Sequence, residues 1–223
     1  ISLGLVGSEM CIRDRFVLSA LNAGKSVVTS NKELFCKFNH ELEKAAKKNN
    51  CGLFYEASCV GGVPVIRALL DNLQGNEVLS MMGIINGTTN YILTKMTDEN
   101  ASYEEVLKEA QRLGYAEANP TADVEGFDAA YKLSILSSLA FHTKIPFSKI
   151  YREGITHITA EDIQYGKQLG YALKLLAIGK NTDEGIEVRV HPTYIKNTHP
   201  LASVKDSYNA VYITGDCVED VML

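Results

Sequence analysis

Between residues 26 and 58 the chain alternates a β-branched run, an amphipathic run and a second apolar run, and few folds accept that order. Residues 26–29 (SVVT) read as a brief strand. Ser30, with Glu33 three residues later, matches the capping-box pattern that opens a helix. Leu34, Phe35, Phe38, Leu42 and Ala45 then recur as its inner face, and a Lys-Lys-Asn-Asn run closes it before Gly52. Residues 53–58 (LFYEAS) read as a buried strand. Strand, helix and strand in close succession predict a parallel α/β unit, because a parallel pair needs a crossover between its strands. The first fifteen residues, ISLGLVGSEMCIRDR, do not fit this rhythm. Gly4 and Gly7 lack the G-x-G-x-x-G spacing of a dinucleotide-binding turn. The string is similar to a translated sequencing adapter, so residues 1–15 are set aside as non-native. From Phe16 to Ala23 the pattern is a helix end, with Gly24 just past it.

After residue 58 a glycine turn (Val60, Gly61, Gly62, Val63) leads to Pro64 at a helix's first position, with Ile66, Leu69, Leu70 and Leu73 as the apolar face. Residues 78–85 read as a strand closed by Asn86-Gly87, followed by a helical run. Ser102 with Glu105 forms another capping box, for a helix ending at Gly114, and Thr159 with Asp162 opens a later helix carrying Ile163 and Leu169. Strand-like runs at 172–178, 186–195 and 210–214 predict a second, mostly antiparallel sheet. The net charge of −5 argues against a general nucleic-acid binder. No apolar run approaches the ~18 residues of a membrane span. Five cysteines without a CxxC pair predict free thiols in a reducing compartment.

The chemistry concentrates in LGYAEANPTADVEGFDAAYKLSIL, residues 113–136. Glu117, Asp123, Glu125 and Asp128 precede a single lysine, Lys132. Residues 121–126 read as a loop, and from about Phe127 a helix buries Ala129, Ala130, Leu133 and Leu136. Asp128 and Lys132 then lie one turn apart. Clustered carboxylates can hold an ammonium group or keep a nearby lysine charged. The same residues would also make a solvated acidic loop with a surface ion pair. A metal-dependent hydrolase is disfavoured, because His40, His142, His157, His191 and His199 are scattered without ligand spacing.

Five blocks in order, SVVTSNKELF, YEASCVGGVPVIRAL, MGIINGTTNYILTKM, LGYAEANPTADVEGFDAAYKL and EVRVHPT with HPLASV, make the chain from Phe16 onward resemble homoserine dehydrogenase. The resemblance implies an α/β remnant of a Rossmann-type nucleotide-binding domain over residues 16–60. It implies an α+β catalytic and dimerisation domain with a mixed, largely antiparallel sheet over 61–223, truncated at its C-terminus. It implies reduction of L-aspartate 4-semialdehyde to L-homoserine with NADP or NAD as cofactor, in threonine, methionine and isoleucine biosynthesis, by a cytoplasmic homodimer. Carried over, Lys132 is the proton donor, and Glu117 and Asp128, with Asp123 beside them, bind the amino-acid substrate. Lys32 matches a lysine near nicotinamide and substrate, and Gly114 a glycine whose backbone approaches the cofactor. Glu56, with the backbone carbonyls of Cys59, Gly61 and Val63, matches a sodium-binding loop. Asn119 stands where the family usually has Asp, and Glu219 where it has Gly. The glycine-rich first half of the nucleotide domain finds no match here, so this chain alone is expected to bind nicotinamide poorly and to be inactive. The alternative is a non-catalytic, self-associating amino-acid-binding module with the same acidic pocket.

Overall fold

The structure, a computed structural model, describes the backbone of residues 9–223 and side chains from residue 15 onward. Helix α1 (Glu9–Asn22) starts earlier than the sequence pattern suggests and takes in part of the segment set aside; Gly4 and Gly7 lie outside the described residues. Strand β1 (Val27–Val28), helix α2 (Lys32–Lys48) and strand β2 (Leu53–Phe54) form the expected parallel unit, with Val27 opposite Leu53. The cap of α2 is not Ser30. Asn31 Oδ1 accepts from the Leu34 N–H at 3.0 Å, while Glu33 turns to Lys37 at 2.9 Å instead of closing a capping box. The 53–58 run is a strand for two residues only. It breaks into a 3₁₀ turn (Glu56–Ser58), whose first carboxylate accepts from the backbone N–H groups of Ile66 and Arg67 at 2.9 and 3.0 Å. Those bonds cap the short helix α3 (Val65–Arg67), which continues as a π turn (Ala68–Asn72) that leaves Leu70 exposed, against the expected apolar face.

The rest of the chain builds one six-stranded sheet and the helices packed on it. Its strands are β3 (Val78–Ile84), β4 (Tyr151–Arg152), β5 (Tyr171–Thr182), β6 (Gly185–Lys196), β7 (Ala210–Gly215) and β8 (Glu219–Met222), in spatial order β4-β6-β5-β3-β7-β8. Every pairing is antiparallel except β4 with β6. The mixed, largely antiparallel sheet expected from the sequence is therefore present, with β3 drawn into it beside β5. Helices α4 (Gly87–Glu99), α5 (Tyr103–Leu113), α6 (Thr121–Val124), α7 (Phe127–Ala140) and α8 (Ala160–Gln168) complete the chain. Both predicted capping boxes, at Ser102 with Glu105 and Thr159 with Asp162, are formed. Two readings change here. Residues 121–124 are helical, and α8 stops one residue before Leu169, whose side chain is exposed.

One continuous core joins the two parts. Leu34, Phe35 and Leu42 of α2 pack in the same buried cluster as Leu133 and Leu136 of α7, Met81 of β3 and Leu175 of β5. A smaller cluster of Ile84, Leu176, Ile178, Ile195 and Leu201 forms around the loop before β7. At roughly 25 cal/mol for each Å² of apolar surface removed from water, this burial is the main term holding α2 against α7. That contact brings the start of α2 to the start of α7, and the chemistry sits where they meet.

Candidate functional site

Asp128 is the centre of the site. It lies in the first turn of α7 and is only 6 % exposed, so the surface ion pair that the local sequence also allowed is not what forms. Its Oδ1 pairs with Lys32 Nζ at 2.7 Å, and its Oδ2 pairs with Lys132 Nζ at 2.6 Å and accepts from Asn86 Nδ2 at 2.9 Å. Burial is the largest single influence on this carboxyl and pushes it up. The charge and hydrogen bond of Lys132, with the hydrogen bonds from Lys32 and Asn86, together outweigh it and hold Asp128 below the usual carboxylate range. Lys32 is pulled down by burial but raised more by Asp128, and its ammonium stays charged. Lys132 Nζ also donates to the Ile85 carbonyl at 2.8 Å. An ammonium has three N–H donors, so one remains for another partner.

Asp123 stands beside this triad at the end of α6. Its Oδ1 accepts from the same Asn86 amide at 2.7 Å. Burial raises its carboxyl, and the neighbouring Asp128 adds to that, against the opposing hydrogen bond from Asn86. Lys32, Glu117, Asp123 and Asp128 line one cleft of about 250 Å³, together with Glu33, Asn119, Ala122 and Tyr131. Four predicted residues therefore share one wall-to-wall space, and Lys132 sits behind it on the buried oxygen of Asp128. Glu117 reaches the rim because α5 ends at Gly114 in the left-handed conformation (φ 81°), which costs glycine little. Gln111 Nε2 then donates to the Glu117 carbonyl at 3.1 Å and holds the turn. Asn119 does local work: its Oδ1 accepts from Thr121 Oγ1 at 2.7 Å and folds the entry to α6. Glu219 begins β8 at φ 58°, a conformation in which glycine is the less strained residue.

The loop of Glu56, Cys59, Gly61 and Val63 is a separate place. Among the described residues, no hydrogen bond reaches the carbonyls of Cys59 and Gly61, and Val60 and Gly61 both have positive φ. The Glu56 oxygens each accept one backbone N–H and keep a lone pair. Oxygen donors of this kind suit a hard cation. Cys59 is fully buried, its thiol pushed up to about 12 by burial, which fits a backbone role rather than a thiolate one. Its Sγ lies 3.9 Å from the Lys132 carbonyl, so this loop backs the helix that carries the lysine.

The sequence reading missed Asn86, the Ile85 carbonyl and Tyr131. In the sequence Asn86-Gly87 marks only the close of a strand before a helical run, yet an Asn that closes a strand and opens a helix is placed where α/β sites gather. Tyr131 stacks on Phe147 with ring centroids 4.3 Å apart and donates to Glu33 at 3.3 Å; nothing in its spacing sets it apart from a core aromatic.

A family model described as homoserine dehydrogenase matches residues 64–223. The chain belongs to the homoserine dehydrogenase family. It is 47 % identical over 208 residues to homoserine dehydrogenase of Bacillus subtilis, covering 93 % of this chain and 48 % of that protein. It is 48 % identical over 211 residues to that of Corynebacterium glutamicum, covering 92 % and 47 %. Among solved structures, a homoserine dehydrogenase from Thiobacillus denitrificans superposes with a TM-score of 0.93 at 46 % identity, over 96 % of this chain and 49 % of that one. A hyperthermophilic archaeal homoserine dehydrogenase in complex with NADPH gives 0.82 at 30 % identity, over 95 % and 61 %. The chain spans about half the length of the curated relatives it matches. The homoserine dehydrogenase fold expected from the sequence is thus the fold observed, and the alternative of a non-catalytic binding module finds no support among these relatives.

Proposed function

We propose that this chain carries the substrate and proton-transfer half of an NAD(P)-dependent homoserine dehydrogenase, which interconverts L-aspartate 4-semialdehyde and L-homoserine on the way to threonine, methionine and isoleucine. The observation that carries the reading is the pair of lysines on opposite oxygens of one buried carboxylate, Lys32 lining an acidic cleft and Lys132 just behind it. Glu117 and Asp123 bind the substrate ammonium at the open side. Asp128, with both oxygens engaged by lysines, serves mainly to aim them and touches substrate at its edge. Lys132 gives its free N–H to the substrate oxygen. In the reducing direction its proton passes to the carbonyl oxygen as the alkoxide develops, and in the oxidising direction the neutral amine takes the hydroxyl proton.

The nicotinamide cofactor, when bound, supplies or accepts the hydride. The residues present fit its reactive end: α2 crosses between the parallel strands β1 and β2, and its start, with Lys32 and Glu33, opens on the cleft. Gly114, at the end of α5 and with open space where a Cβ would stand, would let the backbone come close to the cofactor. Among the described residues, no glycine-rich turn joins a strand to a helix for the pyrophosphate, so residues 16–60 act as part of a nucleotide domain and 61–223 as the catalytic domain. The chain alone should turn over little. Glu56 and the carbonyls of Cys59, Gly61 and Val63 would hold a sodium ion that stiffens the turn behind Lys132. The whole enzyme would be a cytoplasmic homodimer; the free described cysteines fit a reducing compartment, and no described helix is long and apolar enough to cross a membrane.

The test joins this chain behind the nucleotide-binding half of a relative and follows homoserine-dependent formation of reduced cofactor by absorbance. Turnover is expected, with Lys132→Met lowering kcat by at least about 100-fold. A folded fusion without homoserine-dependent reduction, or one whose K132M variant keeps its kcat, would overturn the reading.

A further inference from the structure

Not every group that fixes the charges of the cleft is itself charged. Asn86 follows β3, caps α4 and is 5 % exposed. Its Oδ1 accepts from the Thr89 backbone N–H at 2.9 Å and from Thr89 Oγ1 at 3.0 Å. The flipped amide would set oxygen against two carboxylates, so the orientation is decided by its surroundings. Nδ2 spends its two N–H groups on two acids, Asp123 at 2.7 Å and Asp128 at 2.9 Å. The carbonyl just before it, that of Ile85, takes a hydrogen bond from Lys132. Two consecutive residues therefore hold both carboxylates and the lysine. The junction is also backed from behind: a Cβ on Gly87 would stand 2.8 Å from the Ser207 carbonyl oxygen, so α4 has no slack in that direction.

We propose that Asn86 is a positioning residue for the reaction, its amide bridging Asp123, which meets the substrate ammonium, and Asp128, which aims the two lysines, so that both anions stand side by side before substrate arrives. The substrate part of this statement rests on the dehydrogenase reading above; the bridge itself does not. A buried and a half-buried like charge so close repel, and each alone would favour protonation. One N–H to each stabilises both as acceptors and removes any need for the pair to rearrange when substrate arrives. A role as helix cap alone would need only the Oδ1 atom.

Ser and Asp at position 86 keep a capping oxygen and lose the amide. Carboxyl ¹³C titration of the whole chain, labelled at aspartate, reads the difference without cofactor or turnover. In Asn86→Ser the Asp123 midpoint should rise by about one pH unit, with a melting temperature within a few degrees of the parent. In Asn86→Asp a third carboxylate should raise it further. Titration of Asp123 and Asp128 at their original midpoints in either folded variant would overturn the proposal. So would loss of the fold in both, because Asn86 would then be a folding determinant. Shifted midpoints in a chain whose fusion shows no homoserine oxidation would leave the bridge standing and sink the dehydrogenase reading alone.

Discussion

At the scale of single residues, the decisive fact is that Asp128 is buried with two lysines rather than one. The i,i+4 spacing to Lys132 was legible in the sequence. The resemblance set Lys32 near the substrate, but its pairing with Asp128, 96 positions later by subtraction of the residue numbers, was not legible. Only the packing of α2 on α7 brings the two together, and no local pattern encodes that contact. Asp128→Asn keeps the volume and removes the anion, leaving Lys132, whose side chain is 14 % exposed, facing a second cation. Breaking a buried pair from one side costs about 3 kcal/mol; Lys32 is 39 % exposed, so solvent screens its share. The pH dependence has a definite sign. Because the folded Asp128 carboxyl is held below its usual value, its stabilising contribution is present above the unfolded value and is lost as pH falls through the folded one. Urea unfolding should therefore show the parent ahead of D128N at pH 7, with the gap closing below about pH 4. A gap of constant size would mean that the carboxylate charge contributes nothing.

At the scale of elements, caps with a matched acid three residues on were readable, while caps that depend on a choice between neighbours were not. Ser102 with Glu105 and Thr159 with Asp162 formed as their spacing implied. Ser30 with Glu33 has the same spacing and did not form. Asn31 next to it caps as well, and its own N–H is taken by Thr29 Oγ1 at 3.1 Å. The 53–58 run failed as a strand for a related reason. Its apolar letters suit a strand, but Glu56 is needed to cap α3, and the backbone must turn to put it there. The acid-rich 121–126 stretch looked like loop because a helix as short as α6 leaves no periodicity to read. The cap of α2 separates the two assignments experimentally. Asn31→Ala should cost about 1 kcal/mol in chemical denaturation, and Ser30→Ala should stay within about 0.5 kcal/mol of the parent. The reverse order would restore the capping box at Ser30.

At the scale of the whole molecule, one side chain ties the sheet to the helices and to the loop before β7. Lys174 of β5 is 5 % exposed, and it donates to Asn90 Oδ1 of α4 at 3.1 Å and to the Val204 carbonyl. Asn90 in turn donates to the Val204 and Tyr208 carbonyls at 3.3 and 3.1 Å. Composition and period treat position 174 as an outward break in an apolar strand, so its burial could not be foreseen; it follows from α4 and the 199–209 loop closing over it. Among the described residues, no carboxylate touches its ammonium. Burial, helped by the charge of Lys205 and only partly opposed by Asp98 and Asp206, lowers its pKa to about 8. The unfolded chain, where lysine titrates near 10.5, therefore binds more protons than the folded one between the two values. Stability from this group rises with pH across that window, the opposite of a lysine paired with an acid. Lys174→Met removes the titration, and the raised Lys32 is common to both proteins and cancels in their difference. Measured at about pH 7.5 and again at about pH 10, the parent should gain on K174M by roughly 2 kcal/mol. An unchanged difference would show that the ammonium is solvated in the fold and titrates as it does in the unfolded chain. A gain confined to the parent would place a buried charge, tolerated for its two carbonyl-type contacts, at the junction of sheet, helix and loop.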